Sequence, residues 1–141
     1  MEAEERSRVN SPVDIEKMLA AKTIAVVGLS DDPAKPSHFV SAYMQHAGKK
    51  ILPVNPAIQS VLGETSYASL SDLPEKPDVV NVFRLPRAIP AIVDEMIALG
   101  LKNLWVQQGI RNDEAAAKAE AAGIHVVMDR CMMVEHRMHT R

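Results

Sequence analysis

The sequence lacks several features that define other classes of protein. Its single cysteine, Cys131, excludes an internal disulfide and fits a reducing compartment such as the cytoplasm. No apolar run approaches the ~20 residues of a membrane-spanning helix, and the charged start MEAEERSRVN is unlike a secretory signal. The net charge of −2 leaves no basic excess for a nucleic-acid surface. We therefore expect a cytoplasmic protein without membrane or nucleic-acid partners, and the sequence indicates no particular protein partner.

The length of 141 residues corresponds to one domain. Residues 1–10 have the composition of a flexible tail. Ser11 and Pro12 then provide the N-cap and the first position of a short helix. We expect a tail over residues 1–10 and a single domain over residues 11–141.

Short apolar segments alternate with amphipathic segments along the rest of the chain. Their apolar residues are consecutive and often β-branched, which is typical of parallel strands buried on both faces. Three of the amphipathic segments end at a glycine, where a helix C-terminus favours a left-handed residue: Gly48, Gly100 and Gly123. The predicted strands are Thr23–Gly28, Lys50–Val54, Asp78–Phe83, Asn103–Val106 and Ile124–Met128.

This alternation predicts a Rossmann-like α/β fold, a doubly wound sheet of five parallel strands with helices on both faces. We expect the strand order 3-2-1-4-5. The connection over residues 55–77 is the exception to the pattern, because it contains no convincing long helix. Ligands of such folds lie at the carboxyl ends of the strands, at the switch point beside strand one. The loops that follow the strands are therefore the candidate binding segments.

The turn after the first strand, in TIAVVGLSDDPAKPSHFV, has features of a phosphate-binding loop. Gly28 would let backbone N–H groups approach a phosphate, although a tight turn alone would also explain it. Ser30, Ser37 and Lys35 add hydroxyls and a positive charge, and Pro36 begins a helix whose N-terminus attracts anions. The acidic pair that follows Ser30 opposes this interpretation unless its side chains point outward or cap the turn.

The same turn argues against a conventional NAD site. The dinucleotide fingerprint has three glycines, whereas this turn has only Gly28. The end of the second strand reads Val54-Asn55-Pro56 and has no acidic residue for the ribose hydroxyls. A conventional dinucleotide dehydrogenase is therefore not expected.

Several loops together resemble one family, the small CoA-binding proteins of the YccU type. The segments are VVGLSDDPAKPSH, ILPVNP, LGETSYASLSDLPEKPDVVNVFR, LWVQQGI and VVMDRCMMVEH, within about Ile15 to His136. That family is similar to the N-terminal CoA-binding domain of the succinyl-CoA synthetase α subunit. The resemblance implies a Rossmann-like fold that binds coenzyme A or acyl-CoA at the strand ends. The cofactor-binding residues that it implies are Gly28, Leu29, Ser30, Lys35, Pro36, Ser37, Val54, Asn55, Pro56, Phe83, Arg84, Gln107, Gln108, Gly109 and Cys131.

The chemistry of CoA gives this resemblance a physical rationale. The adenosine ribose of CoA carries a 3′-phosphate, which an acidic residue at the end of the second strand would repel. Asn55 at that point is compatible with the phosphate, and Lys35, Arg84 or Arg87 could supply positive charge. An uncharged Asn55 and nearby cations favour CoA over NAD and leave NADP open.

The remaining reactive residues do not form a catalytic or metal-binding pattern. Two residues depart from the family pattern: Met133 stands where a lysine is common, and Asn81 stands where an acidic residue is common. The segment EHRMH at residues 135–139 lacks complementary metal ligands and is expected to be solvated. Cys131 is expected to pack the end of a strand, with a reactive thiol as the alternative. We expect a CoA-binding protein without catalytic machinery; the alternatives are an NADP-binding reductase, a subunit of an acyl-CoA-using enzyme and a CoA-responsive regulatory module.

Overall fold

The computed structural model describes residues 8–139. Its α-helices are α1 (Pro12–Leu19), α2 (Pro36–His46), α3 (Ile89–Leu99), α4 (Asp113–Ala121) and α5 (Met132–His139). Its strands are β1 (Thr23–Val27), β2 (Lys50–Val54), β3 (Ser60–Val61), β4 (Glu64–Thr65), β5 (Val79–Val82), β6 (Asn103–Gln107) and β7 (His125–Arg130). Two single-turn 3-10 helices lie at Leu70–Asp72 and Pro86–Ala88.

The five long strands form one parallel sheet in the order β2-β1-β5-β6-β7. The predicted Rossmann-like fold with five parallel strands is confirmed. Counted along the chain, the order of the full strands is 2-1-3-4-5, because β5 pairs with β1. At the outer edge of β2, where the order 3-2-1-4-5 places a strand, residues 8–139 form a parallel bridge between Val54 and Tyr67 and no full strand. The segment between β2 and β5 forms this bridge and the β3–β4 hairpin instead of a full strand and crossover helix.

Both faces of the sheet are buried, which explains the consecutive apolar residues of its strands. One core cluster contains Ala25 and Val27 of β1 and packs against α3 and α4. The opposite cluster contains Ile24 and Val26 and packs against α1, α2 and α5. Trp105 of β6 is fully buried in the second cluster, and its indole Nε1–H donates to the carbonyl of Arg130 at 2.9 Å. Trp105 is therefore a core residue.

The free edge of β7 is covered by the segment before α1. The Asn10 backbone N–H donates to Val126 at 3.0 Å, and the Asn10 side chain both donates to the Met128 carbonyl and accepts from the Met128 N–H. Such pairing shields an edge strand from another chain. Residues 1–7 of the expected tail lie outside the described residues.

A reciprocal contact between Asp78 and the start of β1 fixes the register of β1 and β5. Asp78 Oδ2 accepts from the backbone N–H groups of Lys22 at 3.0 Å and Thr23 at 3.1 Å. The Asp78 N–H donates to Thr23 Oγ1 at 2.9 Å. The hydrogen bond from Lys22 N–H, with those from Thr23, holds the pKa of Asp78 below its ordinary value.

We expect Asp78→Asn to lower the free energy of unfolding at pH 7 by about 1 kcal/mol, since an exposed carboxylate loses charge-assisted hydrogen bonds. A depressed pKa stabilises the fold above the unfolded pKa of about 3.9, and this stabilisation is lost as pH falls through the folded value. In urea unfolding, the difference between the wild type and the variant should therefore begin to shrink near pH 4 and disappear as pH falls below the folded pKa of Asp78. Asp94→Asn, which removes only a surface ion pair with Lys118, is the control. A constant difference at all pH values would contradict this account.

Candidate functional site

A cleft of about 520 Å³ lies at the carboxyl edge of the sheet, where the chain after β1 runs towards β2 and the chain after β5 runs the opposite way towards β6. This is the switch point of the sheet, and the volume lies within the range of ligand pockets. Three loops line the cleft, following β1, β5 and β6. The lining residues are Gly28, Ser30, Lys35, Pro36, Ser37, Phe83, Arg84, Leu85, Pro86, Gln107, Gln108, Gly109 and Ile110.

Gly28 is required by the backbone at the floor of the cleft. Its φ is +90°, and a Cβ there would lie 2.4 Å from the carbonyl oxygen of Phe83. The Gly28 N–H donates to the Val54 carbonyl at 2.9 Å, so the turn also connects β1 to β2. Gly28 therefore forms a tight turn that brings the following loop to the cleft.

The loop after Gly28 is closed onto the first turn of α2. The Ser30 N–H donates to Ser37 Oγ at 2.9 Å, and His38 Nδ1 lies 2.9 Å from the Ser30 carbonyl, to which it donates. Asp32 Oδ1 accepts from the Ala34 N–H at 3.0 Å and caps the turn, so its charge does not line the cleft. The Ser37 hydroxyl accepts within the protein and keeps its own proton for a further acceptor.

The charged residues on the cleft lining are both cations. Lys35 and Arg84 line the cleft and are exposed, and among the described residues no Asp or Glu lines it. The Arg84 stem passes over the glycine turn, since a Cβ on Gly28 would lie 3.4 Å from Arg84 Cδ. Arg87, a third candidate cation, is not on the lining. The cleft therefore has the charge that attracts an anionic ligand.

Asn55 connects two loops beside the cleft and does not line it. Its Nδ2 donates to the Leu29 carbonyl at 2.9 Å, and its Oδ1 accepts from the Ala57 N–H at 2.9 Å. Leu29 is fully buried, Val54 is buried and Pro56 is exposed away from the lining. These residues support the β1 and β2 ends from behind the cleft surface.

Gln107 and Gly109 are held by residues at the end of β7, the strand beside β6, and at the start of α5. Gln107 is 5% exposed, and its Oε1 accepts from the Met132 N–H at 3.4 Å. The Gly109 N–H donates to Asp129 Oδ1 at 2.7 Å. This role of Asp129 could not be predicted from the sequence, because a carboxylate that accepts a hydrogen bond from a distant loop belongs to no recognisable motif.

The structure brings ten of the predicted site residues to one cleft. It also adds an apolar side to the lining that the resemblance did not assign: Leu85, Pro86 and Ile110. Their position directly after β5 and β6 is the signal that could have identified them, since carboxyl ends of parallel strands converge. The predicted residues that lie on the lining are Gly28, Ser30, Lys35, Pro36, Ser37, Phe83, Arg84, Gln107, Gln108 and Gly109.

Cys131 lies away from the cleft lining. It is half-buried and packs against the core cluster beneath α2 and α5, and its carbonyl accepts from the Glu135 N–H at 3.0 Å. This environment favours the packing interpretation over a positioned thiol.

The C-terminal histidines also lie away from the cleft. His136 Nδ1 lies 3.0 Å from the Tyr43 hydroxyl. Burial lowers the pKa of His136, and the positive charge of Lys49 lowers it further. His139 pairs only weakly with Glu135, at 3.5 Å. Within residues 8–139, no three His, Cys, Asp or Glu side chains are grouped so as to hold a metal ion. No helix in this part of the chain has the length and apolar character to cross a membrane.

A doubly wound sheet with a cationic cleft at its switch point defines a Rossmann-like domain suited to a phosphate-containing ligand. The chain belongs to the CoA-binding domain family: the family model described as "CoA binding domain" matches residues 22–137. It is 42% identical over 127 residues to the Bacillus subtilis protein YneT, covering 89% of this chain and 94% of YneT.

Two solved structures and one ligase are also similar to this chain. A Pyrococcus horikoshii protein is 38% identical with a TM-score of 0.86, covering 91% of each chain. A Thermus thermophilus protein is 43% identical with a TM-score of 0.82, covering 90% of this chain and 94% of that one. The ADP-forming acetate–CoA ligase I of Archaeoglobus fulgidus is 23% identical over 128 residues, which span 84% of this chain but only 19% of the ligase.

Proposed function

We propose that this protein binds coenzyme A or acyl-CoA in the switch-point cleft, without catalytic machinery of its own. The observation that carries the proposal is the charge of the cleft lining. Lys35 and Arg84 line the cleft beside the turn that leads into α2, and no carboxylate of the described residues lies on the lining. Family membership supports CoA as the ligand. The motifs also support placement within the YccU type, and the single cysteine supports a cytoplasmic location.

The diphosphate of CoA would lie against the turn between Ser30 and Ser37. The N-terminus of α2 attracts negative charge through the partial positive charge of the helix dipole. The proton of the Ser37 hydroxyl could be donated to a phosphate oxygen, while Lys35 and Arg84 neutralise the remaining charge. The apolar side of the cleft, around Leu85 and Ile110, would contact the uncharged part of the ligand.

The 3′-phosphate distinguishes CoA from NAD. NAD sites in this fold usually have an acidic residue at the end of the second strand. Here Asn55 occupies that position, and its amide is used to hold the Leu29 carbonyl. An uncharged residue at this point avoids repulsion of a 3′-phosphate, which supports CoA as the ligand.

We expect Arg84→Gln and Lys35→Gln each to weaken CoA binding about tenfold at low ionic strength, because each removes a charge-assisted contact to phosphate. The affinity of the wild type should fall as salt rises, since exposed charges are screened over ~8–10 Å at moderate salt. Both variants should show a smaller salt dependence. Isothermal titration calorimetry at several salt concentrations measures these quantities.

Arg87→Gln is the matched control, because it removes the same charge from the same loop but lies off the cleft lining. It should bind CoA as the wild type does. A salt-independent wild-type affinity, or equal losses in Arg84→Gln and Arg87→Gln, would contradict the proposed phosphate contacts.

The relationship to ADP-forming acetate–CoA ligases favours a second candidate, a subunit of an acyl-CoA-using enzyme. In that case the chain would supply the CoA site and another subunit the chemistry. Incubation with acetyl-CoA, ADP and phosphate tests the chain alone. ATP formation by the chain alone would contradict a binding protein without catalytic machinery. Both candidates predict CoA binding without ATP formation for the isolated chain, and ATP formation only when a second subunit is added would favour the enzyme subunit.

A further inference from the structure

Asp129 has an unusual backbone conformation near the end of β7. Its φ is +62°, in the left-handed region, which non-glycine residues adopt at an energetic cost. The pairing of β6 and β7 shifts at the same place, because Val106 pairs with Met128 but Gln107 pairs with Arg130. Asp129 is therefore the extra residue of a β-bulge, a feature that redirects a side chain.

The redirected carboxylate of Asp129 holds the loop after β6. Its Oδ1 accepts from the Gly109 N–H at 2.7 Å, and its Oδ2 lies 3.9 Å from Arg111 Nη1. Gly109 has a φ of +86° and lines the cleft together with Gln108, whereas Asp129 does not line it. The carboxylate can therefore act on the cleft through the position of Gly109.

Further hydrogen bonds connect the β6 and β7 segments on either side of this contact. Trp105 Nε1–H donates to the Arg130 carbonyl at 2.9 Å, and the Met132 N–H donates to Gln107 Oε1 at 3.4 Å. Both involve residues of the buried core. The contact from Asp129 is thus the one of these three whose side chain can be changed without disturbing the core.

We propose that Asp129 is a positioning residue that fixes the Gln107–Gly109 loop for ligand binding, an inference that rests on the proposed CoA-binding function. Strained backbone persists where surrounding contacts hold it, and such residues concentrate at functional sites. Here the strain at Asp129 is maintained by the charge-assisted bond that sets the direction of the Gly109 peptide.

The proposal predicts an effect opposite to simple electrostatics. Removing a carboxylate beside a site for phosphate groups should strengthen binding by Coulomb's law alone. If Asp129 positions the loop, its removal should weaken binding instead. The sign of the change therefore separates the two effects.

Two variants of Asp129 test the proposal by titration with CoA. Asp129→Gly removes the carboxylate and relieves the backbone strain, so its resistance to urea should equal or exceed that of the wild type. Its Kd for CoA should rise about tenfold, which corresponds to the loss of one strong hydrogen bond. Asp129→Asn keeps an acceptor and tolerates the left-handed conformation, so its Kd should stay within about threefold of the wild-type value. Asp113→Gly is the matched control: it removes the other carboxylate that pairs with Arg111, does not line the cleft, and should not weaken binding.

A second readout needs no ligand. In the free protein, the Gly109 amide should exchange with solvent about tenfold faster in Asp129→Gly than in the wild type or Asp129→Asn, measured by NMR. Should the wild type fail to bind CoA, the proposed function fails, and this exchange rate still decides whether Asp129 holds the loop. Unchanged Gly109 exchange, or Asp129→Gly binding CoA at least as tightly as the wild type, would overturn the inference.

Discussion

Gly28→Ala is expected to lower the free energy of unfolding by about 3 kcal/mol or more, because two costs coincide at this position. The left-handed φ of +90° disfavours any Cβ, and that Cβ would lie 2.4 Å from the Phe83 carbonyl oxygen. This clash is between backbone atoms directly after β1 and β5, so neither residue can move without disturbing the centre of the sheet. The Gly28 turn also forms the floor of the cleft, so CoA binding should be lost as well.

Gly63→Ala is the matched control for this prediction. Gly63 also has a positive φ, +77°, but a Cβ there would meet no atom within 4 Å. Its substitution should therefore cost only the backbone term, about 1 kcal/mol. Urea unfolding of both variants measures the difference. Equal losses in the two variants would show that the contact with Phe83 contributes nothing.

The sheet could be predicted from the sequence because its strands are short, apolar and bounded by glycines or prolines. Lys50–Val54 is the same in prediction and structure, and the other strand ends differ by a few residues. The largest extension is β7, which reaches Arg130 through the bulge at Asp129. A bulge of this kind depends on a side-chain bond to a distant loop, which periodicity does not report.

The segment between β2 and β5 could not be predicted in the same way. Its hairpin turns at Leu62, with φ of +56°, and a leucine gives no signal for a left-handed turn. The Gln45 side chain, which belongs to α2, donates to the Leu62 carbonyl at 2.9 Å. Long-range contacts therefore determine this conformation, and they are not visible in the local sequence.

The site shows the same division. Loops that follow parallel strands must meet at one edge, so the strand assignments alone brought Ser30, Arg84 and Gln108 together. Whether a residue lines the cleft or supports it depends on side-chain partners. Asn55 is a predicted cofactor-binding residue, but its side-chain amide donates to the Leu29 carbonyl. An Asn55→Asp variant would therefore lose this hydrogen bond as well as add a negative charge.

The second large effect concerns ligand choice. CoA, dephospho-CoA and NAD all carry a diphosphate and an adenosine, but only CoA among them has the 3′-phosphate. Loss of that phosphate removes negative charge from a ligand bound in a cleft whose charged lining residues, Lys35 and Arg84, are both cations, which should weaken binding about tenfold or more. NAD also lacks the pantetheine and finds no acidic residue for its ribose, so it should bind at least about a hundredfold more weakly than CoA.

The most direct test of CoA binding in this cleft is calorimetric titration of the wild-type protein with CoA, acetyl-CoA, dephospho-CoA, NADP and NAD in one buffer. We expect CoA and acetyl-CoA to bind most tightly, dephospho-CoA and NADP more weakly, and NAD weakest of all. Tightest binding of NADP would instead favour the reductase alternative. NAD binding at least as tightly as CoA would contradict the account.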